Sequence, residues 1–134
     1  MRAAGRPPPP LRLRLTDGPL APQLAGVRQE VERWARANGL AEPLVEDVVL
    51  AAHEALANVA DHAYPDGAGV ATLDAQHLDG VIETTVRDEG AWRPPAADPG
   101  WRGRGLVIIR GLADEVDVHH DGTGTVVRMR WKQG

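Results

Sequence analysis

Glu54 and Asn58 stand four residues apart, and Asp61 follows about one turn later. On a helix that spacing places them on one side. The same spacing fits a plain solvated helix face, so the pair does chemistry only if other parts of the chain cover it. Three later motifs are candidates for that cover. Asp88-Glu89-Gly90 sets a carboxylate beside a glycine; the carboxylate can accept a hydrogen bond from a ligand amine while the glycine admits the ligand close to the backbone. An ordinary turn reads the same way. Gly103-Arg104-Gly105-Leu106 opens an apolar stretch, and free N–H groups at a helix start favour an anion. A helix start without any ligand is equally compatible. Gly124-Thr125 adds a hydroxyl beside a turn glycine, a commonplace pairing.

Several other chemistries are closed. His53-Glu54 begins like a zinc-protease helix, but the second histidine that motif needs falls at Ala57. Adjacent His119 and His120 point to opposite faces of a strand and do not converge on one metal. His62 reads most simply as a helix-end histidine meeting terminal carbonyls. The chain holds no Gly-x-x-x-x-Gly-Lys-Ser/Thr loop and no Gly-x-Ser-x-Gly elbow. With no cysteine, disulfides and thiolate metal sites are impossible.

The elements that must position these residues follow from periodicity. Leu11 to Leu15 alternates with arginine and reads as a half-buried strand. Leu20, Leu24, Val27, Val31 and Trp34 recur at helical spacing, and Asn38-Gly39 supplies a stop, so a helix is expected over about 20 to 38. A second helix starts near Glu42-Pro43 and ends at Pro65-Asp66-Gly67. Its Val45, Val48, Val49, Ala52, Leu56, Val59 and Ala63 form one apolar stripe, with Glu54 and Asn58 pointing nearly the opposite way. Val70 to His77 and Val81 to Arg87 flank Asp79-Gly80, a hairpin signal. Residues 90–102 read as a loop, Leu106 to Ala113 as a short helix, and Glu115 to His120 with Thr125 to Trp131 as a last hairpin. Two consecutive amphipathic helices over a run of hairpins make an α+β two-layer sandwich, its sheet mixed and mostly antiparallel, covered on one face by helices.

Size and charge set the bounds. A chain of 134 residues makes one domain, and its 43% hydrophobic content builds a core without staples. The formal charge of −4 excludes a basic nucleic-acid footprint, although Arg93, Arg102, Arg104 and Arg110 form a local group able to meet a few phosphates. No apolar run reaches membrane-spanning length, and no signal-peptide h-region follows the first arginines, so a cytoplasmic location is expected. Pro7 to Pro10 place residues 1–10 in a flexible, polyproline-type arm ahead of a domain at 11–134. Pro94, Pro95 and Pro99 with Gly90, Gly100, Gly103 and Gly105 mark a second, interior cluster.

Taken in order, these motifs resemble the GHKL, or Bergerat-fold, ATPases over roughly residues 11–132. Glu54 to Asn58 is similar to that superfamily's N box, Asp88-Glu89-Gly90 to its adenine box, Gly103 to Leu106 to its lid-end glycine box, and Gly124-Thr125 to its last short motif. His62-Ala63-Tyr64-Pro65, and Gly103 to Ile109 followed by Asp114-Glu115-Val116, resemble the bacterial anti-sigma-factor serine/threonine kinases more narrowly. The resemblance implies bound ATP and Mg²⁺. It makes Glu54 the general base and gives Asn58 the Mg²⁺ against the ATP phosphates. Asp88 would meet the adenine amine with Gly90 giving clearance, Gly103, Arg104 and Gly105 would end a phosphate-side lid, and Thr125 would support the adenine pocket. Such a site suits phosphoryl transfer, which depends on positioning and charge neutralisation. Trp92 departs from the pattern by standing where many members carry a second glycine, and the stretch Gly90 to Arg102 is short beside the lids of the chaperone and topoisomerase branches. A histidine-kinase catalytic module is a nearer rival, but its phosphoacceptor box sits in a separate dimerising hairpin that this chain lacks.

The resemblance implies an anti-sigma factor that phosphorylates a STAS-type anti-anti-sigma partner, sequesters a sigma factor in its other state and forms a homodimer. The alternative is a non-catalytic ATP-binding module of the same fold, or one domain of a multidomain signalling protein.

Overall fold

The computed structural model describes residues 8–16, 20–59, 70–88, 106–121 and 124–132. Strand β1 (Leu11–Leu15) precedes a 3₁₀ turn at Ala21–Gln23 and helix α1 (Leu24–Ala37). Helix α2 (Glu42–Asn58), the hairpin β2 (Ala71–Leu78) and β3 (Val81–Asp88), helix α3 (Leu106–Leu112), and the hairpin β4 (Glu115–Asp121) and β5 (Gly124–Lys132) follow. Every expected element among the described residues is present. The first helix starts later than its periodicity suggested, because Leu20 belongs to the turn that leads into it.

The strands form one sheet in the order β1-β2-β3-β5-β4. Each described pairing is antiparallel, so the parallel component allowed for in a mixed sheet is absent among them. Asp79 and Gly80 turn the β2–β3 hairpin with φ of 52° and 77°, the paired left-handed conformation that matches strand twist. Alternation sends Ala71, Leu73 and Ala75 of β2, Ile82, Thr84, Val86 and Asp88 of β3, and Thr125, Val127, Met129 and Trp131 of β5 into the interior.

The two long helices supply the other layer. Helix α1 buries Leu24, Val27, Val31, Trp34 and Ala35. Its end is fixed by Asn38, whose Nδ2 donates to Trp34 O at 2.9 Å while its Oδ1 lies 3.1 Å from His77 Nδ1 on β2. A bidentate pair from Arg36 to Glu42, at 2.8 and 3.1 Å, ties α1 to the start of α2 and holds the Glu42 carboxyl below an ordinary glutamate. Pro9 is anchored as well, because Trp34 Nε1 donates to its carbonyl at 3.1 Å.

The outer sheet face is polar. Arg12 meets Asp74 at 2.7 Å, and Glu83 meets Arg130 at 2.7 Å, with Asp117 and Glu115 at 3.5 and 3.6 Å from the same guanidinium. Exposed pairs of this kind contribute little to stability. They keep the open face wetted, while the buried aliphatic face carries the folding free energy.

Candidate functional site

The inward alternation of β3 and β5 stops being apolar at one end of the sheet. Asp88 closes β3 and Thr125 opens β5, and the two are direct cross-strand partners. Ala71 flanks Asp88 on β2, and His120 holds the register position beside Thr125 on β4. Asp88 and Thr125 are only 2% and 3% exposed, so a carboxylate and a hydroxyl sit side by side within a buried row. Gly124 makes that approach possible. A Cβ there would overlap the Asp88 carbonyl oxygen and lie 3.1 Å from its carbon, and the backbone φ is +150°.

Helix α2 packs on β3. Its buried arc is wider than the single stripe expected, because Ala51 and Ala55 are buried beside Val45, Val48, Ala52 and Leu56. α2 packs against both α1 and α3 as well as the sheet, and small alanines admit those neighbours. The flank of this wider arc reaches Asn58. Glu54 and Asn58 are half-buried, and the Asn58 Nδ2 atom is inaccessible with no hydrogen-bond partner among the described residues. The plain solvated-face reading of this pair is therefore corrected.

The chain leaving α2 after Asn58 returns at Ala71, the register partner of Asp88, and the segment leaving Asp88 returns at α3. α3 is held by Ile109 in the core and by Trp131 Nε1 donating to Leu112 O at 2.8 Å. Asp61, His62, Glu89, Gly90, Trp92, Gly103, Arg104 and Gly105 lie outside the described residues.

Sequence reasoning missed two polar groups. Thr84 is fully buried between Ile82 and Val86, and its hydroxyl has no hydrogen-bond partner among the described residues. A polar residue on the inward phase of an apolar alternation was the available signal. His53, read as a mere neighbour of Glu54, is half-buried with an inaccessible, unpartnered Nδ1 among those residues. The Thr125 hydroxyl is in the same state. Buried polar atoms are normally satisfied, so the Thr125 hydroxyl and the Asn58 amide nitrogen are candidate ligand contacts, while Thr84 stands mid-strand on β3.

The donor set fits ATP and Mg²⁺. A buried carboxylate beside a hydroxyl suits an amine-bearing base, and an amide oxygen suits a hard cation that takes its remaining ligands from phosphates and water. No group of three or more His, Cys, Asp or Glu able to hold a metal unaided occurs among the described residues. No described helix is long and apolar enough to cross a membrane.

Known proteins agree with this architecture. The family model described as a histidine kinase-like ATPase domain matches residues 19–131. The serine-protein kinase RsbW of Halalkalibacterium halodurans is 32% identical over 118 residues, covering 77% of this chain and 72% of the relative. The crystal structure of the RsbU and RsbW domains of Rv1364c from Mycobacterium tuberculosis superposes with a TM-score of 0.73 at 24% identity. That match covers 94% of this chain, which spans only 33% of the solved one. With the fold and the family match in agreement, the chain belongs to the histidine kinase-like ATPase (GHKL) family and has RsbW-like homologues.

Proposed function

We propose that this protein is an ATP- and Mg²⁺-dependent serine/threonine kinase that acts as an anti-sigma factor. The observation that carries the reading is the buried Asp88–Thr125 pair at the sheet end from which both connections to α2 and α3 depart. In this reading residues 11–134 form the kinase domain behind an arm at 1–10. Asp88 accepts the adenine amine, Thr125 supports the pocket and Gly90 gives clearance. Asn58 offers its amide oxygen to the metal, and Gly103, Arg104 and Gly105 meet the phosphate side. ATP supplies the phosphoryl group and Mg²⁺ neutralises its charge. Glu54 takes the proton from the attacking serine or threonine hydroxyl, and positioning by the remaining residues does the rest.

RsbW homology supports the proposed partners, a STAS-type anti-anti-sigma protein as phosphoacceptor and a sigma factor as the sequestered ligand, and in this reading the chain acts as a homodimer in the cytoplasm. Labelled ATP incubated with purified STAS proteins of the same genome tests the reading. One partner should be labelled by wild type and not by Glu54→Ala. If the two proteins behave alike and nothing is labelled, the kinase assignment fails. Trp92 favours a second reading, because an indole in place of a lid glycine can close the pocket against catalysis. Partner capture that persists in Glu54→Ala without ATP turnover selects that non-catalytic module.

A further inference from the structure

Glu46, Leu50, Glu54 and Asn58 form a row along α2 in steps of four residues. Each step advances about 40° around the helix and rises about 6 Å. The row therefore winds from solvent toward the buried arc, and the exposures follow it: Glu46 and Leu50 are exposed, Glu54 and Asn58 half-buried. Leu50 is the anomaly. A large apolar side chain stands 43% exposed between two carboxylates, outside the arc made by Val45, Val48, Ala51, Ala52, Ala55 and Leu56. Glutamine or lysine would serve the helix as well, so neither propensity nor packing calls for leucine there. Among the described residues four large hydrophobics are exposed, and three of them, Leu50, Val107 and Ile108, lie on α2 and α3, which pack together. Exposed apolar side chains concentrated on neighbouring helices mark a contact surface.

Resting on the kinase reading, in which Glu54 meets the accepting hydroxyl, we infer that Leu50 and Glu46 dock the phosphoacceptor protein. Leu50 takes an apolar side chain next to the accepting serine or threonine, and Glu46 takes a lysine or arginine farther along. Residues four apart on a helix stand about 5–6 Å between Cβ atoms, so a protein that brings a hydroxyl to Glu54 covers Leu50 as it arrives. Glu46 lies roughly 12 Å from Glu54 along the helix axis, beyond the apolar contact. It is exposed and joins no ion pair among the described residues, so its carboxylate is open to a cation. Water or a free amino acid reaches Glu54 without spanning the row. The two residues therefore select among protein acceptors and take no part in the phosphoryl transfer itself.

Steady-state phosphotransfer by the full chain to the purified STAS protein of the same genome that wild type labels tests it. Leu50→Gln should raise the KM for that acceptor about tenfold or more and leave kcat within about twofold of wild type, the split expected when only binding is lost. Leu50→Met keeps the apolar contact and should return KM to within about threefold of wild type. Leu78→Gln is the control. Leu78 is 59% exposed, and the register puts it at the opposite end of the β2–β3 hairpin from Asp88, so this variant should keep the wild-type KM. Glu46→Lys should raise KM about threefold or more at low salt, the difference fading as added salt screens the charges. A KM unchanged by Leu50→Gln, or raised equally by Leu78→Gln, overturns the inference while the kinase reading stands. Indifference to Glu46→Lys at low salt overturns the cationic contact. A wild type that labels no STAS protein overturns the kinase reading and the docking row with it.

Discussion

At the scale of single residues, the site turns on how close β5 comes to Asp88. Gly124→Ala would force a Cβ into the Asp88 carbonyl, against backbone rather than a yielding side chain. Overpacking of that kind costs about 1–3 kcal/mol. Urea denaturation should therefore show a loss in this range, and ATP affinity should fall with it because Asp88 is displaced. Asp88→Asn separates the two effects. It keeps the volume but turns part of an acceptor carboxylate into a donor facing the proposed adenine amine. A charge-assisted hydrogen bond is worth about 1.5–3 kcal/mol, so calorimetry should show ATP binding weakened by roughly ten- to a hundredfold. Unchanged affinity would remove Asp88 from the adenine role.

At the scale of elements, most of the architecture was readable because the strands and helices carry clean periods. Val81 to Arg87, rich in β-branched residues and preceded by Asp79-Gly80, reads as a strand, and β3 extends it by the single residue Asp88. The hairpin turns were equally plain, since Asp79-Gly80 is chemistry for one turn type. What periodicity did not reveal is that α2 is covered on more than one side. An alanine at position 51 or 55 is neutral in a hydrophobic pattern, and only the packing of α2 against its tertiary neighbours makes it buried. The order β3-β5-β4 is likewise a tertiary choice. α3 is the element most dependent on such contacts, being seven residues long and below the length at which a helix stands alone. Its last carbonyls need partners, and the Trp131 indole satisfies Leu112 from β5. Trp131→Phe keeps an aromatic ring but removes the N–H donor of that carbonyl together with part of the buried volume, an expected loss of at least about 1–3 kcal/mol. Hydrogen exchange should accelerate in α3 more than in α1; uniform acceleration would show that Trp131 serves the core in general and not this helix.

At the scale of the whole molecule, a buried carboxylate and a buried hydroxyl close one end of the sheet, and α2 belongs to the layer that packs on β3. In the proposed site a ligand contacts both layers at once and stabilises only the folded chain. Linkage then sets the size of the effect: at a ligand concentration a hundred times Kd, folding gains about 2.7 kcal/mol. ATP with Mg²⁺ should accordingly raise the unfolding midpoint, and GTP, which lacks the adenine amine, should not. ATP alone should give a smaller increase, because the triphosphate charge is then uncompensated. Asn58→Ala should erase the difference between ATP with and without Mg²⁺ while preserving the response to ATP itself, since the amide oxygen of half-buried Asn58 is the proposed ligand of the cation. An equal Mg²⁺ increment in wild type and Asn58→Ala would place the cation on the nucleotide alone. Loss of the whole ATP response would instead make Asn58 part of the nucleotide seat, coupling the end of α2 to β3 through the ligand.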